Sequence, residues 1–304
     1  MVGIDPVRGQ KQASSAHDSS RWPPHAATHP RGHGRLGTRR FGHRRMERTD
    51  EQFHLMNIAG WILAPLKTLL AILHTAVCSI TGLIAMALSA HNGDWVMWRV
   101  GRQMWSRPLL QAILGAKLDI DVHPEAQALA DRKQGVVLVA NHTSLLDINA
   151  AFAASPTPIV FLSKASVRKV PLLGKLNELA GTVFVERGNR DSSEKAVHQL
   201  TDTLKQGRSV LVFPEGTRSE DGTLRPFKKG AFHLAKAADA PLVPMHISGT
   251  WERLRSGAWL IGPSRKAIRV RVGAPLQQTK EDDPATLMAR AAQAVEGLQS
   301  DLAS

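Results

Sequence analysis

The chain has 304 residues, 43% of them apolar, enough to bury the core of one large domain or two smaller ones. Its single cysteine, Cys78, excludes an intrachain disulfide and a cysteine-rich structural zinc site. A net charge of +13 favours an anionic partner: nucleic acid, an anionic membrane surface or a phosphorylated substrate.

Residues 1–50 carry nine Arg and one Lys against four acids, a net +6, with five His and scattered Gly and Pro. No apolar period runs through them, so they read as a disordered basic tail. "MERTDEQF" at Met46 reads as an alternative start that would leave the tail outside the functional protein. A nucleic-acid-binding arm is the other reading, but no aromatic residues interleave the charges and the chain has no Tyr. With +6 of the +13 confined to this tail, no nucleic-acid partner is expected.

Residues 51–110 read as a membrane-associated helical segment. The stretch Thr68–Ala90 is 23 residues without a formal charge. As a helix it would extend about 35 Å, against a hydrocarbon thickness of about 30 Å. It is apolar all round and flanked by Trp61, Trp95, Trp98 and Trp105, a residue type that favours the bilayer interface. A buried core helix is the bland alternative. Lys67 and Arg48 before the run, with Arg99, Arg102 and Arg107 after it, suit a hairpin with both ends cytoplasmic; a start at Met46 would leave a single span open.

From residue 111 the pattern alternates. Strands are expected at 117–122, 135–140, 158–163, 182–186, 209–214, 241–247 and 267–272, and helices at 144–154, 171–180, 191–206, 229–239 and 284–302. Asp283 is placed to cap the last helix, with Pro284 at its first position. The order predicts an α/β domain over 111–304 with a mixed, largely covered sheet and flanking helices.

Three strand ends are polar. "NHTSLLD" (141–147) follows "GVVLVA". Ser144 and Asp147 have capping-box spacing, which starts a helix at Ser144 and leaves His142 in the preceding turn. From there the imidazole can fold back onto the Asp147 carboxylate, which would fix its tautomer and leave the second ring nitrogen free as a base. The bland reading is a cap beside a turn histidine. "VFPEGTRS" (212–219) brings Glu215, Gly216, Thr217 and Arg218 off another strand, with Gly permitting close backbone approach and Arg able to hold phosphate. "GTVFVERGNR" (181–190) supplies Arg187; Arg190 reads as a solvated charge. One base and two arginines at strand ends point to a phosphorylated substrate that loses a proton from oxygen. Among the sequence patterns there is no Gly-x-Ser-x-Gly elbow and no metal-binding motif, so neither a covalent acyl-enzyme nor a metal is expected.

Together these blocks resemble the glycerophosphate acyltransferase family, in particular its 1-acyl-glycerol-3-phosphate acyltransferases. "NHTSLLD" is similar to the family's His-x4-Asp motif, "GTVFVER" to its Gly-x-x-Phe-x-x-Arg block through Gly181, Phe184 and Arg187, and "FPEGTRS" and "PLVPMHI" to its third and fourth blocks. "SKASVRKVPLLG", which contains Lys164, resembles the segment between the first two. Relatives usually carry an acidic residue near Ala165–Ser166, which this chain lacks.

The resemblance implies that His142, oriented by Asp147, activates the free hydroxyl of a 1-acyl-glycerol-3-phosphate for attack on an acyl thioester of coenzyme A or acyl carrier protein. It further implies that Arg187 and Arg218 hold the acceptor phosphate, that Glu215, Gly216, Thr217 and Lys164 complete the substrate site, and that no cofactor is needed beyond the acyl donor. The product would be phosphatidic acid, made at the cytoplasmic face of the inner membrane, with membrane lipids and the acyl donor as partners. Another lysolipid acceptor, such as a lyso-ornithine lipid, and a non-catalytic lipid-binding role are the alternatives.

Overall fold

The computed structural model describes residues 58–89, 93–186, 188–279 and 281–300. The basic tail lies outside them. Seven strands form one sheet in the order β1-β7-β6-β2-β5-β3-β4. They are β1 (Leu118–Val122), β2 (Val137–Ala140), β3 (Ile159–Lys164), β4 (Val183–Val185), β5 (Ser209–Val212), β6 (Leu242–Ser248) and β7 (Ile268–Val272). Every strand expected from the sequence is present. Strands β6, β2, β5, β3 and β4 run parallel, β7 pairs antiparallel with β6, and β1 is parallel to β7, so the sheet is mixed.

The central strands β2 and β5 are buried at every position, as strands covered on both faces must be. Their alternate residues feed two cores. On one face, Leu138, Ala140, Phe161, Leu211, Met245 and Ile247 pack with helix α3 (Leu146–Ala154) and helix α1 (Ala64–Leu88). On the other, Val137, Val139, Val160, Val210 and Val212 pack with α5 (Arg190–Lys205), α6 (Gly230–Ala238) and α7 (Pro284–Ser300). The short α2 (Pro124–Asp131) and α4 (Leu173–Leu179) complete the helices used below. Asp283 accepts the Thr286 amide at 2.6 Å and caps α7 as expected.

The sequence reads α1 as apolar all round, but the fold sorts its residues by size. Small residues turn inward: Ala64, Ala71, Cys78, Ser79 and Gly82 are buried, together with Met86. Large ones, including Leu66, Leu69, Leu73, Val77, Ile80 and Ile84, stay exposed. Small side chains let the helix lie close against its neighbours. Leu176 of α4 packs on Gly82, where an added Cβ would stand 2.8 Å from a Leu176 methyl. The Trp105 ring nitrogen donates to Thr75 Oγ1 at 3.0 Å from a wide-turn helical segment, Met97–Ser106. The helix is long and apolar enough to cross a membrane, with 28% of its most apolar window buried against the domain.

Candidate active site

Because β6, β2, β5, β3 and β4 are parallel, their carboxyl ends share one edge of the sheet, and every polar strand end singled out above falls on it. His142 leaves β2, and Glu215–Arg218 leave the adjacent β5. Lys164 closes β3, one strand further along. At about 4.8 Å per strand, Lys164 sits about 10 Å from the strand of His142, and the end of β4 about 14 Å.

The His142 ring folds back as its spacing requires: Nδ1 lies 3.0 Å from Asp147 Oδ2. Asp147 is fully buried, while His142 keeps 15% of its side chain exposed. Burying a carboxylate demands partners, and this one has them. Oδ2 also accepts the Thr143 and Ser144 amides at 2.6 and 2.8 Å, and Oδ1 accepts the Thr250 hydroxyl at 2.5 Å. An ionised acceptor at Nδ1 makes Nδ1 the protonated nitrogen, so Nε2 presents its lone pair. The Phe213 ring stacks on the imidazole, centroids 4.0 Å apart and planes at 17°, and restricts the remaining rotation.

The expected helix start at Ser144 shifts to Leu146, because Ser144 does not cap. Its hydroxyl donates to Leu254 O at 2.7 Å and accepts the Leu146 amide at 3.2 Å. Only the acidic half of the capping box forms, with Asp147 taking amides one and two residues past His142. The turn is tied down by the same carboxylate that orients the His142 ring.

Glu215 is buried, and its carboxylate points at backbone. Oε1 accepts the His142 amide at 2.6 Å and Oε2 the Arg225 amide at 3.2 Å. The Ser219 amide donates to His142 O at 2.8 Å, so the turn after β5 clasps the His142 turn from both sides. Burial pushes the Glu215 carboxyl up to about 7 against the pull of those two amides, and the nearby Asp147 charge adds to the rise. Glu215 is therefore a positioning residue for His142 as much as a wall of the site. Gly216 adopts φ +73°, and the Lys228 ammonium lies over it, 2.8 Å from where a Cβ would stand. A side chain there would be strained and would displace that cation. Thr217 is exposed and Arg218 half-buried; neither makes a hydrogen bond or ion pair among the described residues. Lys164 is likewise exposed and unpaired. Arg187 lies outside the described residues, as does the side chain of Arg190.

Three contributors escaped the sequence reading. Thr250 follows β6 in "SGT", a polar strand end like the others. Phe213 sits inside the "FPEGTRS" block. Lys228 lies in "PFKKGA", a basic pair shortly after it. No group of three or more His, Cys, Asp and Glu able to hold a metal occurs among the described residues.

The Asp147–His142 pair lies at the carboxyl edge of a mixed sheet, inside the stretch that comparisons with known proteins match. Residues 119–248 match the family model described as Acyltransferase. This segment is an Acyltransferase-family domain. It contains all four blocks, from "NHTSLLD" to "PLVPMHI". Over 203 residues the chain is 35% identical to a 1-acyl-sn-glycerol-3-phosphate acyltransferase of Saccharomyces cerevisiae, covering 64% of each protein. It is 32% identical over 146 residues to the protein of that name from Escherichia coli, covering 48% of this chain and 58% of the other. The match to one from Chlamydomonas reinhardtii reaches 43% identity over 122 residues, 40% of this chain and 36% of that protein. The chain thus spans less than two thirds of the length of each of these curated relatives. The acyltransferase fold itself is seen in the crystal structure of the 1-acyl-sn-glycerophosphate acyltransferase from Thermotoga maritima. That structure aligns with a TM-score of 0.68 at 22% identity, covering 81% of this chain and 98% of that one.

Proposed function

We propose that the chain transfers a fatty acyl group from a thioester of coenzyme A or acyl carrier protein to the free hydroxyl of 1-acyl-glycerol-3-phosphate, giving phosphatidic acid. The carrying observation is the His142 Nδ1–Asp147 Oδ2 contact of 3.0 Å inside a carboxylate site closed by three further donors. His142 Nε2 accepts the hydroxyl proton as the oxygen attacks the thioester carbonyl. The tetrahedral intermediate expels the thiolate, the carbon–sulfur bond breaks, and the proton on Nε2 passes to sulfur. Asp147 stays ionised throughout and stabilises the imidazolium.

Arg218, unpaired among the described residues, and Lys228 over Gly216 both follow β5 close to the Glu215 that holds the His142 amide, and they suit an acceptor phosphate. Lys164 at the end of β3 extends that positive edge, and Arg187, two residues past β4 in the sequence, is a further cation for the phosphate. The exposed apolar face of α1 holds the domain at the membrane. Because thioester donors are cytosolic and the acceptor is bilayer-borne, the site works at the cytoplasmic face, in a bacterial host that of the inner membrane.

The test is acyl transfer by purified full-length protein to a panel of lysolipids. Rapid acylation of the 1-acyl-glycerol-3-phosphate, lost in His142→Ala, supports the reading. Transfer confined to an acceptor without a phosphate, such as a lyso-ornithine lipid, would overturn the assigned acceptor while keeping the chemistry.

A further inference from the structure

The segment joining β6 to β7 carries Thr250 into the site and then turns outward. Between Arg255 and Arg265 it reads Ser-Gly-Ala-Trp-Leu-Ile-Gly-Pro-Ser, nine residues without a charge. Trp259 at its tip is 90% exposed, and Leu260 beside it is 42% exposed. Leaving a large aromatic body in water forgoes the burial that drives folding.

The tip is not a loose loop. The Gly262 amide donates to Arg253 O at 2.7 Å, and the buried Arg253 guanidinium donates to Gly249 O at 2.9 Å and Ser264 O at 3.0 Å, tying the base of the loop together. The Ile261 amide donates to Thr68 Oγ1 at 2.9 Å, which fastens the loop to the first turns of α1, nearly two hundred residues earlier. The Trp61 ring packs on Gly262, and Pro263 packs on Gly60. Around that junction Ile58, Trp61, Ile62, Leu63 and Leu66 are all exposed. The apolar tip and the exposed start of α1 are therefore one continuous patch. Arg255 borders it, its guanidinium over the Trp251 ring at 4.4 Å, beside a Lys266–Glu252 ion pair at 2.5 Å.

We propose that Trp259 and Leu260 form a second membrane contact, inserted at the boundary between head groups and acyl chains beside the start of α1. The occupant is an anionic lipid bilayer. Tryptophan favours that boundary, Arg255 favours its charge, and the patch continues a helix apolar enough for lipid. The contact also fixes the height of the catalytic turn, because the same segment supplies Thr250 to Asp147 and the Leu254 carbonyl to Ser144. The inference rests on the membrane reading of α1 and not on the reaction.

The test uses the full chain with Cys78→Ser and a single new cysteine, either Trp259→Cys or Gln199→Cys on the opposite face of the sheet, labelled with an environment-sensitive fluorophore. The protein is bound to phosphatidylethanolamine–phosphatidylglycerol vesicles that carry a shallow nitroxide lipid. The label at 259 should shift to the blue and be about threefold more strongly quenched than the label at 199, as for a group about 5–10 Å deep. Trp259→Ser should lower vesicle partition of the unlabelled chain roughly tenfold. Water-like emission at 259 in vesicle-bound protein, or equal quenching at both positions, overturns the proposal. Failure to bind vesicles at all overturns it together with the membrane reading of α1, and leaves the acyl-transfer chemistry standing.

Discussion

Thr250 Oγ1 donates to Asp147 Oδ1 at 2.5 Å across 103 residues of sequence, so the carboxylate that orients His142 is itself held by the segment after β6. Removing this donor leaves Oδ1 unheld while Oδ2 keeps three partners, so the carboxylate loses one of the anchors that fix its plane against the imidazole. Thr250→Val should lower kcat roughly tenfold, with KM little changed, on the scale of one lost hydrogen bond to a charged group. Thr250→Ser should restore most of it. Equal losses in both variants would mean that the methyl group packs and the hydroxyl does not position.

His142 and Asp147 should separate cleanly in stability. His142 is partly exposed, so His142→Ala should cut turnover by about 10²–10⁴ while moving stability by about 1 kcal/mol or less. Asp147→Ala strands the Thr143 and Ser144 amides and the Thr250 hydroxyl in a buried site, and should cost about 3 kcal/mol or more besides the activity. Turnover assays paired with thermal melts check both. Near-normal turnover in His142→Ala would remove the base from the mechanism.

Glu215 sets a pH dependence with a definite sign. Its carboxyl is raised to about 7 by burial, above the ordinary value near 4.5, so the folded state keeps a proton that the unfolded chain has lost between those limits. The stability it contributes is complete below pH 4.5 and disappears as pH rises to 7. Relative to Glu215→Gln, the natural chain should lose up to about 3 kcal/mol across that window and change no further above it. Melting curves of both proteins from pH 4.5 to 8 decide this. A constant difference across the range would show that Glu215 does not titrate there.

The sheet was legible because its strands are short apolar runs bounded by turn residues, and the core demands little more than that pattern. The His142–Asp147 contact was legible too, since a histidine just outside a helix and an acid in its first turn are brought together by local geometry. Where the helix begins was not. Ser144 has the composition of a cap, but its hydroxyl finds Leu254, 110 residues away, a competitor no local rule reveals. Thr250 and the backbone-facing turn of Glu215 were hidden for the same reason: both roles are assigned by strand order. The size sorting on α1 was invisible to a hydropathy reading, which counts alanine and leucine alike as apolar.

Arg218 should act on binding. It is half-buried at the edge of the site with no partner among the described residues, so its removal costs the fold little. Arg218→Ala should raise KM for a phosphorylated acceptor roughly tenfold or more, with kcat less affected, as expected for a charge-assisted contact made before chemistry. For an acceptor without phosphate the change should be small. A uniform loss of kcat on both acceptors would place Arg218 against the reacting atoms instead.

Truncation before the sheet distinguishes a detachable anchor from a structural helix. If α1 were only an anchor, deleting residues 1–91 would free a soluble domain that still acylates short-chain acceptors. The packing argues otherwise. Ala71, Cys78 and Met86 belong to the core that contains Phe152 of α3 and Phe161 of β3, and α1 supplies Thr75 to Trp105 and Thr68 to Ile261. Stripping it exposes that face, including α3, which carries Asp147 in its first turn. The truncated chain should aggregate or melt far below the intact protein and should lose activity on water-soluble acceptors as well. Replacing exposed residues instead, as in Leu69→Gln with Leu73→Gln and Ile80→Gln, should weaken membrane association while sparing the fold and the soluble-acceptor activity. Fractionation, melting and the two-acceptor assay on both proteins resolve the question. A truncated chain that stayed folded and active in solution would make α1 a simple tether.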